Sequence, residues 1–295
     1  MKILVFDIGG TSIKHGYCVD NTLVEVHETP TDAKKGGRHV IDTVISLIKE
    51  QNGYDAIGIS TAGQVNAEKG SIIYANSNIP NYTGMQIREE LEALFHVPVA
   101  VENDVNSAAL GEAIYGAGQT FDNFLCLTYG TGVGGAIIQD KSVYHGSSFS
   151  AAEFGAIVTH GEERKCSTDY FDGCYERYAS TTALVKKAME YDSSLDNGRK
   201  IFARIDDPKV MDILDAWVDE IMIGLATLTH IFNPSCIIVG GGIMAQPLVT
   251  KKIHEKIDQY IMPSFAHVKI LPAELGNTAG LLGANHLAMK RLTDK

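Results

Sequence analysis

Met1-Lys2-Ile3-Leu4-Val5-Phe6-Asp7-Ile8-Gly9-Gly10-Thr11-Ser12-Ile13-Lys14 opens the chain. An apolar run ends in an acid, two glycines and hydroxyl residues, and a second apolar segment follows, which predicts a strand, a tight turn and another strand. Glycines let a backbone turn sharply and bring its N–H groups close to phosphate oxygens. Asp7, at the strand end, is placed to hold a magnesium ion beside such phosphates. A plain Gly-Gly hairpin has the same pattern, so this segment alone leaves both readings open.

The rest of the first half alternates strands with helices. Residues 2–28 read as two or three strands, with a turn at Asp20-Asn21. Apolar residues at Val40, Ile41, Val44, Ile45, Leu47 and Ile48 have a helical period over 39–50. Residues 56–60 form a short buried strand that continues as loop through 61–65, and 85–95 an amphipathic helix. Residues 97–102 predict a strand that delivers Asn103 and Asp104, followed by a helix over 106–116. Strands at 124–128 and 135–138 flank a glycine-rich turn. In the second half, 175–190 and 207–232 are mostly helical, 236–239 and 268–271 are strands, and 278–291 is a last helix. The alternation predicts an α/β architecture. The glycine-rich strand-turn-strand at 3–18 returns at 124–138, which predicts two related lobes with a ligand cleft between them.

Composition sets limits. The chain has 295 residues, 45% hydrophobic and 21% charged, with a formal net charge of −11. That length suits one large or two medium domains. There is no basic cluster, so nucleic acid is not an expected partner. No run of about 18 apolar residues suggests a membrane span, and the N-terminus does not read as a signal peptide. The five cysteines, Cys18, Cys126, Cys166, Cys174 and Cys236, are odd in number and scattered, which predicts a reducing, cytoplasmic setting.

Several constellations carry candidate chemistry. Leu127-Thr128-Tyr129-Gly130-Thr131-Gly132-Val133-Gly134-Gly135 offers glycines and threonines between two strands, a candidate anion nest. In Glu102-Asn103-Asp104, Asp104 suits both a helix N-cap and a carboxylate that accepts a hydroxyl proton during phosphoryl transfer. Asn103 would offer a donor and an acceptor to neighbouring hydroxyls. Glu153 and Glu176 add carboxylates of the kind that sugar sites collect, or are surface acids in loops. Gly240-Gly241-Gly242, after a buried strand, suits either an adenosine lying against backbone or a tightly packed strand-to-helix turn. Cys166, Cys174 and His160 raise a zinc reading, but two cysteines eight positions apart lack the paired short spacing of a structural site.

Taken in order, Asp7-Ile8-Gly9-Gly10-Thr11, Glu102-Asn103-Asp104, Gly130-Thr131-Gly132-Val133-Gly134-Gly135, Glu153-Phe154-Gly155, Gly173-Cys174-Tyr175-Glu176 and Gly240-Gly241-Gly242 resemble the ROK family of bacterial sugar kinases over essentially the full chain. The D-x-G-G-T pattern at Asp7–Thr11 recurs in sugar kinases of the actin-like ATPase superfamily. The resemblance implies an α/β, actin-like (ribonuclease H-like) two-lobed fold. A small lobe would comprise residues 1–116, completed by the C-terminal helix at about 280–295, and a larger lobe residues 117–279. It implies transfer of phosphate from ATP, with Mg2+, to a hexose or N-acetylhexosamine, usually at the 6-hydroxyl.

By the same resemblance Asp104 matches the general base, and Gly63, Asn103, Asp104, Glu153 and Glu176 match sugar-binding positions. Asp7, Gly9, Gly10, Thr11 and Lys14 belong to the first phosphate loop, with Asp7 toward Mg2+. Thr131 and Gly132 belong to the second loop, and Gly240, Gly241 and Gly242 to the nucleotide turn. A homodimer is expected by resemblance only.

Family members with a structural zinc have a histidine directly after E-F-G and a C-x-C-G-x-x-G-C run. Here Ala156 replaces the histidine, Ser167 and Asp169 stand where the first two cysteines would be, and Gly173-Cys174 remains. No structural zinc is therefore expected, and packing or hydrogen bonds must hold residues 156–174. Gly58–Val65 with Ile79–Gly84 resembles the zinc-less N-acetylmannosamine kinases, and glucokinases have similar segments. N-acetylmannosamine and glucose stand nearly level as expected substrates, with β-glucosides third. The family also contains transcription repressors whose helix-turn-helix precedes the sugar-binding region; with the first phosphate strand starting at Lys2, an enzyme is expected instead. The other class is a non-catalytic sugar sensor, against which the retained Asp104 and both glycine loops speak.

Overall fold

The opening stretch forms β1 (Lys2–Ile8) and β2 (Ser12–Val19), an antiparallel pair in which Asp7 faces Lys14. The computed structural model describes residues 1–165 and 169–294. The chain continues through β3 (Thr22–Pro30), α1 (Gly37–Lys49), β4 (Ala56–Thr61), β5 (Gln64–Asn66), β6 (Ser71–Tyr74), α2 (Ile87–Phe95), β7 (Val99–Asn103) and α3 (Asp104–Tyr115). Then come β8 (Phe124–Tyr129), β9 (Val133–Gln139), the short β10 (Ser142–Val143), α4 (Glu176–Ala179), α5 (Thr181–Tyr191), α6 (Gly198–Phe202) and α7 (Pro208–Phe232). β11 (Cys236–Gly240), α8 (Pro247–Tyr260), β12 (Lys269–Pro272) and α9 (Ala279–Thr293) complete it.

Two units form. The first comprises Met1–Thr120, Lys141–Ala151 and Asn277–Lys295. Its sheet has the order β3-β2-β1-β4-β7, with β1, β4 and β7 parallel. The helical period of 39–50 places Val40, Ile41, Val44, Ile45 and Ile48 in the core with Phe6, Ile57, Val99 and Val101. α9 lies against α3 and β4 at very short range. A Cβ on Gly283 would stand 1.8 Å from the Ser107 carbonyl oxygen, and one on Gly58 2.3 Å from that of Ala284, so neither position admits a side chain.

The second unit comprises Phe121–Asp140 and Ala152–Gly276. Its strands run β9-β8-β11-β12, with β8, β11 and β12 parallel and β9 antiparallel to β8. This repeats the β2-β1-β4-β7 arrangement of the first unit, as the recurring glycine-rich strand pair predicts. Its core gathers Trp217, Met222 and Leu225 of α7 with Leu127, Ile237 and Ile270 of the sheet.

Two expectations change. Residues 64 and 65, read as loop, form β5 together with Asn66, and β5 pairs with β6 in a small antiparallel hairpin. Residues 117–120, 141–151 and 277–279, read as part of the second lobe, belong to the first unit. Short-range pattern missed both, because Gln64-Val65-Asn66 is too brief for periodicity and membership of a unit is set by distant packing. Among the described residues no helix is long and apolar enough to cross a membrane.

Candidate active site

In the first unit the parallel strands β1, β4 and β7 bring Asp7, Ser60, Thr61 and Asn103 to their carboxyl ends, where open α/β sheets bind ligands. Asp7 pairs in register with Ser60, whose hydroxyl donates to Asp7 Oδ1 at 2.7 Å. Burial pushes Asp7 above the usual carboxylate range, opposed by that bond and by the Lys14 charge. The turn after β1 is closed by the Gly9 N–H donating to the Ser12 carbonyl at 3.0 Å. Thr31 Oγ1 donates to the Gly9 carbonyl at 2.7 Å, and the Thr31 N–H to that of Thr11 at 3.0 Å. Around Gly10 there is open space. Thr31 thus holds the Gly9 and Thr11 carbonyls of this loop in place.

Asn103, and not Asp104, is the N-cap of α3. Its Oδ1 accepts the N–H groups of Val105 at 2.9 Å and Asn106 at 3.1 Å. Its Nδ2 donates to the Gly63 carbonyl and to Asp104 Oδ1, both at 2.9 Å. The sequence assigns Asn103 hydroxyl contacts with a sugar; here both N–H groups and both lone pairs of its amide are engaged within the protein. Asp104 is the half-buried first residue of the helix. Burial and then the nearby Asp7 charge push its carboxyl up to about 6, partly offset by the Val105 and Asn103 hydrogen bonds. Gly63 has φ of +97°, which glycine adopts without strain. The preceding residue, Glu102, is fully buried and anchors the segment: Oε1 accepts the Asn103 N–H at 2.8 Å and Asn106 Nδ2 at 3.0 Å, while Oε2 meets His145 Nε2 at 2.6 Å.

In the second unit Glu176 opens α4 against the second glycine loop. A Cβ on Gly132 would come within 2.6 Å of Glu176 Oε2, which accepts the Val133 N–H at 3.4 Å. Burial raises the Glu176 carboxyl, and the charge of Glu153 adds to the rise, so the two acids share one neighbourhood. The adjacent Tyr175 fixes Glu176 from the core side. Its hydroxyl lies 2.8 Å from that of Tyr129 and donates to the Ile221 carbonyl at 2.9 Å, and its ring covers Gly224, where a Cβ would meet it at 2.1 Å.

The second loop also borders a cavity of about 820 Å³. Gly130, Thr131, Thr181, Asn197, Phe202 and Gly242 are among its walls. Thr182 Oγ1 donates to the Thr131 carbonyl at 2.8 Å and the Thr181 N–H to that of Gly130 at 3.0 Å, so α5 braces the loop. Of the glycine triplet only Gly242 lines the cavity. Gly241 (φ +102°) packs where a Cβ would meet the Tyr129 carbonyl at 2.2 Å, and Gly240 ends β11, so for these two the tight-turn role is what the structure displays. Sequence reasoning missed Thr181, Thr182, Asn197 and Phe202. The Asn197-Gly198 pair signals a turn, but nothing local ties that turn to Thr131.

Hydrogen bonds hold the described part of residues 156–174. Cys174 Sγ donates to the Ala156 carbonyl at 3.2 Å and accepts Arg164 at 3.3 Å, and the N–H groups of Thr159 and His160 both reach the Gly173 carbonyl at 3.0 Å. His160 stacks on Tyr178 and lies 3.5 Å from Glu220. Cys166 and Ser167 lie outside the described residues. Among the described residues no three or more His, Cys, Asp or Glu side chains gather as a metal site.

Comparison with known proteins adds to this geometry. The model of the ROK family matches residues 3–291. A β-glucoside kinase of Listeria innocua is 33% identical over 96% of each chain. The structure of a ROK glucokinase from Streptomyces griseus with glucose and AMPPNP is 30% identical, covers 98% of this chain and 100% of its own, and superposes with a TM-score of 0.83. A candidate N-acetylmannosamine kinase of Listeria monocytogenes is 29% identical, covers 100% and 99%, and has a TM-score of 0.88. A two-unit α/β chain of actin-like fold with this likeness is an ATP-dependent sugar kinase. The chain belongs to the ROK family.

Proposed function

We propose that the chain phosphorylates the 6-hydroxyl of a hexose or N-acetylhexosamine, with N-acetylmannosamine and glucose as first substrates and β-glucosides after them. Asp104 carries the reading. It is a carboxylate at a strand end, held by Asn103 and tuned to about 6, close to where a base must be ionised and still take up a proton. Asp104 accepts the proton of the attacking hydroxyl. Asn103 orients it, and Glu153 and Glu176 accept other sugar hydroxyls.

The loops at Gly9–Thr11 and at Thr131–Gly132 suit phosphate oxygens, with Lys14 adding positive charge beside Asp7. The adenosine occupies the 820 Å³ cavity at Thr131, Phe202 and Gly242. Asp7 fits a magnesium ion: Ser60 takes only its Oδ1, and the mutual repulsion of Asp7 and Asp104 is what a bound cation would relieve. Such an ion would offset the charge on the phosphates.

A coupled ADP-release assay with Mg–ATP against glucose, N-acetylmannosamine, N-acetylglucosamine, mannose and cellobiose tests the reading. Turnover on one of these sugars that falls at least about a hundredfold in Asp104→Asn, with KM nearly unchanged, is the expected outcome. Full turnover in Asp104→Asn would remove Asp104 as the base, and no turnover on any sugar would overturn the substrate class.

A further inference from the structure

Beside β7, wholly within the first unit, lies a cavity of about 460 Å³ that the proposed reaction does not use. Its walls carry Arg88 of α2, Lys290 and Arg291 of α9, His145, and the acids Glu102 and Asp294. Arg88 is only 8% exposed. It donates from Nε to the Val99 carbonyl at 2.8 Å, from one terminal nitrogen to that of Ala67 at 2.7 Å, and from the other to that of Glu68. A guanidinium has five N–H groups, so two remain together with the whole charge. No carboxylate lies within ion-pair distance of Arg88 or Lys290 among the described residues.

The other charges are accounted for. Arg291 places two N–H groups on Glu92 Oε1, at 3.1 and 3.0 Å. Glu102 is enclosed by Asn103, Asn106 and His145, and the bond from Glu102 raises the His145 pKa, favouring the imidazolium. The charge of Glu92 acts on Arg88, but Arg291 already engages that carboxylate. Arg88 and Lys290 thus line the cavity with no carboxylate in ion-pair contact among the described residues, and a planar guanidinium with spare N–H groups matches a phosphate.

We propose that this cavity is an anion site that takes a phosphate dianion, free or carried on a small monoester, between Arg88 and Lys290. It stands independently of the kinase reading, although its wall includes Glu102, which holds the segment leading to Asp104.

The test is calorimetric titration of the full chain with inorganic phosphate and, separately, with glucose 6-phosphate, at constant ionic strength. Lys290→Ala and Lys290→Glu are the main variants, because the exposed Lys290 ammonium makes no hydrogen bond or ion pair among the described residues whose loss would disturb folding. Arg88→Met is the companion variant. Dissociation constants should rise about tenfold in Lys290→Ala and further in Lys290→Glu. Because glucose 6-phosphate is also the product of the proposed reaction, only ester binding that weakens in the Lys290 variants counts: tighter binding of that kind would identify an ester as occupant, and equal binding the free anion. Affinity unchanged in both Lys290 variants, or no binding to the wild type at millimolar anion, would overturn the proposal.

Discussion

The amide of Asn103 donates to Asp104 Oδ1 at 2.9 Å while its oxygen caps the helix that Asp104 begins. Orientation of the carboxylate and integrity of the α3 terminus therefore depend on one side chain. Asn103→Ala should cost about 1–2 kcal/mol in urea unfolding, the usual loss for an N-cap. It also removes a donor to the ionised form of Asp104, whose pKa should rise above about 6. The acid limb of kcat/KM should accordingly move to higher pH, which a pH–rate profile reads directly.

Asp104 should weaken the fold at neutral pH. Its carboxyl lies at about 6 in the folded chain against an ordinary 3.8, so between those values the folded state binds more protons than the unfolded. Stability from this group thus falls as pH rises from 3.8 to 6, and the penalty is complete above that window. Asp104→Asn should melt higher than wild type at pH 8, with the difference closing as pH drops below 4. Melting curves across that range check it; a gap of constant size would mean that the carboxyl is not shifted.

Gly224 of α7 lies under the Tyr175 ring, where a Cβ would fall 2.1 Å from it. Gly224→Ala must displace the ring, and with it the neighbouring Glu176. A stability loss of roughly 1–3 kcal/mol is expected from overpacking. Sugar KM should rise with it, as Glu176 leaves the second glycine loop. Urea unfolding and steady-state kinetics on the same preparation separate the two effects.

Phe202 and Gly242 line the same cavity, and in the proposed reading Phe202 would offer an aromatic face to the base. Phe202→Ala should raise KM for ATP about tenfold, from lost base–aromatic contact, and leave sugar KM nearly unchanged. An equal rise for both substrates would place the nucleotide elsewhere.

Much of this was legible in the sequence. Period and turn residues located α1, α2, β1, β2 and β11 to within a few residues, because amphipathic spacing and Gly-Gly turns act over one element. The order of glycine loops, acids and strands also pointed to the family. Hairpin β5–β6 escaped because three residues leave no period. The cavity residues Asn197 and Phe202 escaped because other residues of the same lining, such as Thr131 and Gly242, are dozens of positions away.

The sequence by itself determined the alternation of strands and helices, the two glycine-rich turns and the presence of Asp104 at a strand-to-helix junction. These follow from local propensity and from backbone freedom at glycine. Tertiary structure alone decided that Asn103 rather than Asp104 caps α3, that Ser60 holds Asp7 across adjacent strands, and that Arg88 is buried against backbone carbonyls beside the cavity. Each of these depends on burial and on charges brought together from distant segments, and only packing of the whole unit sets those.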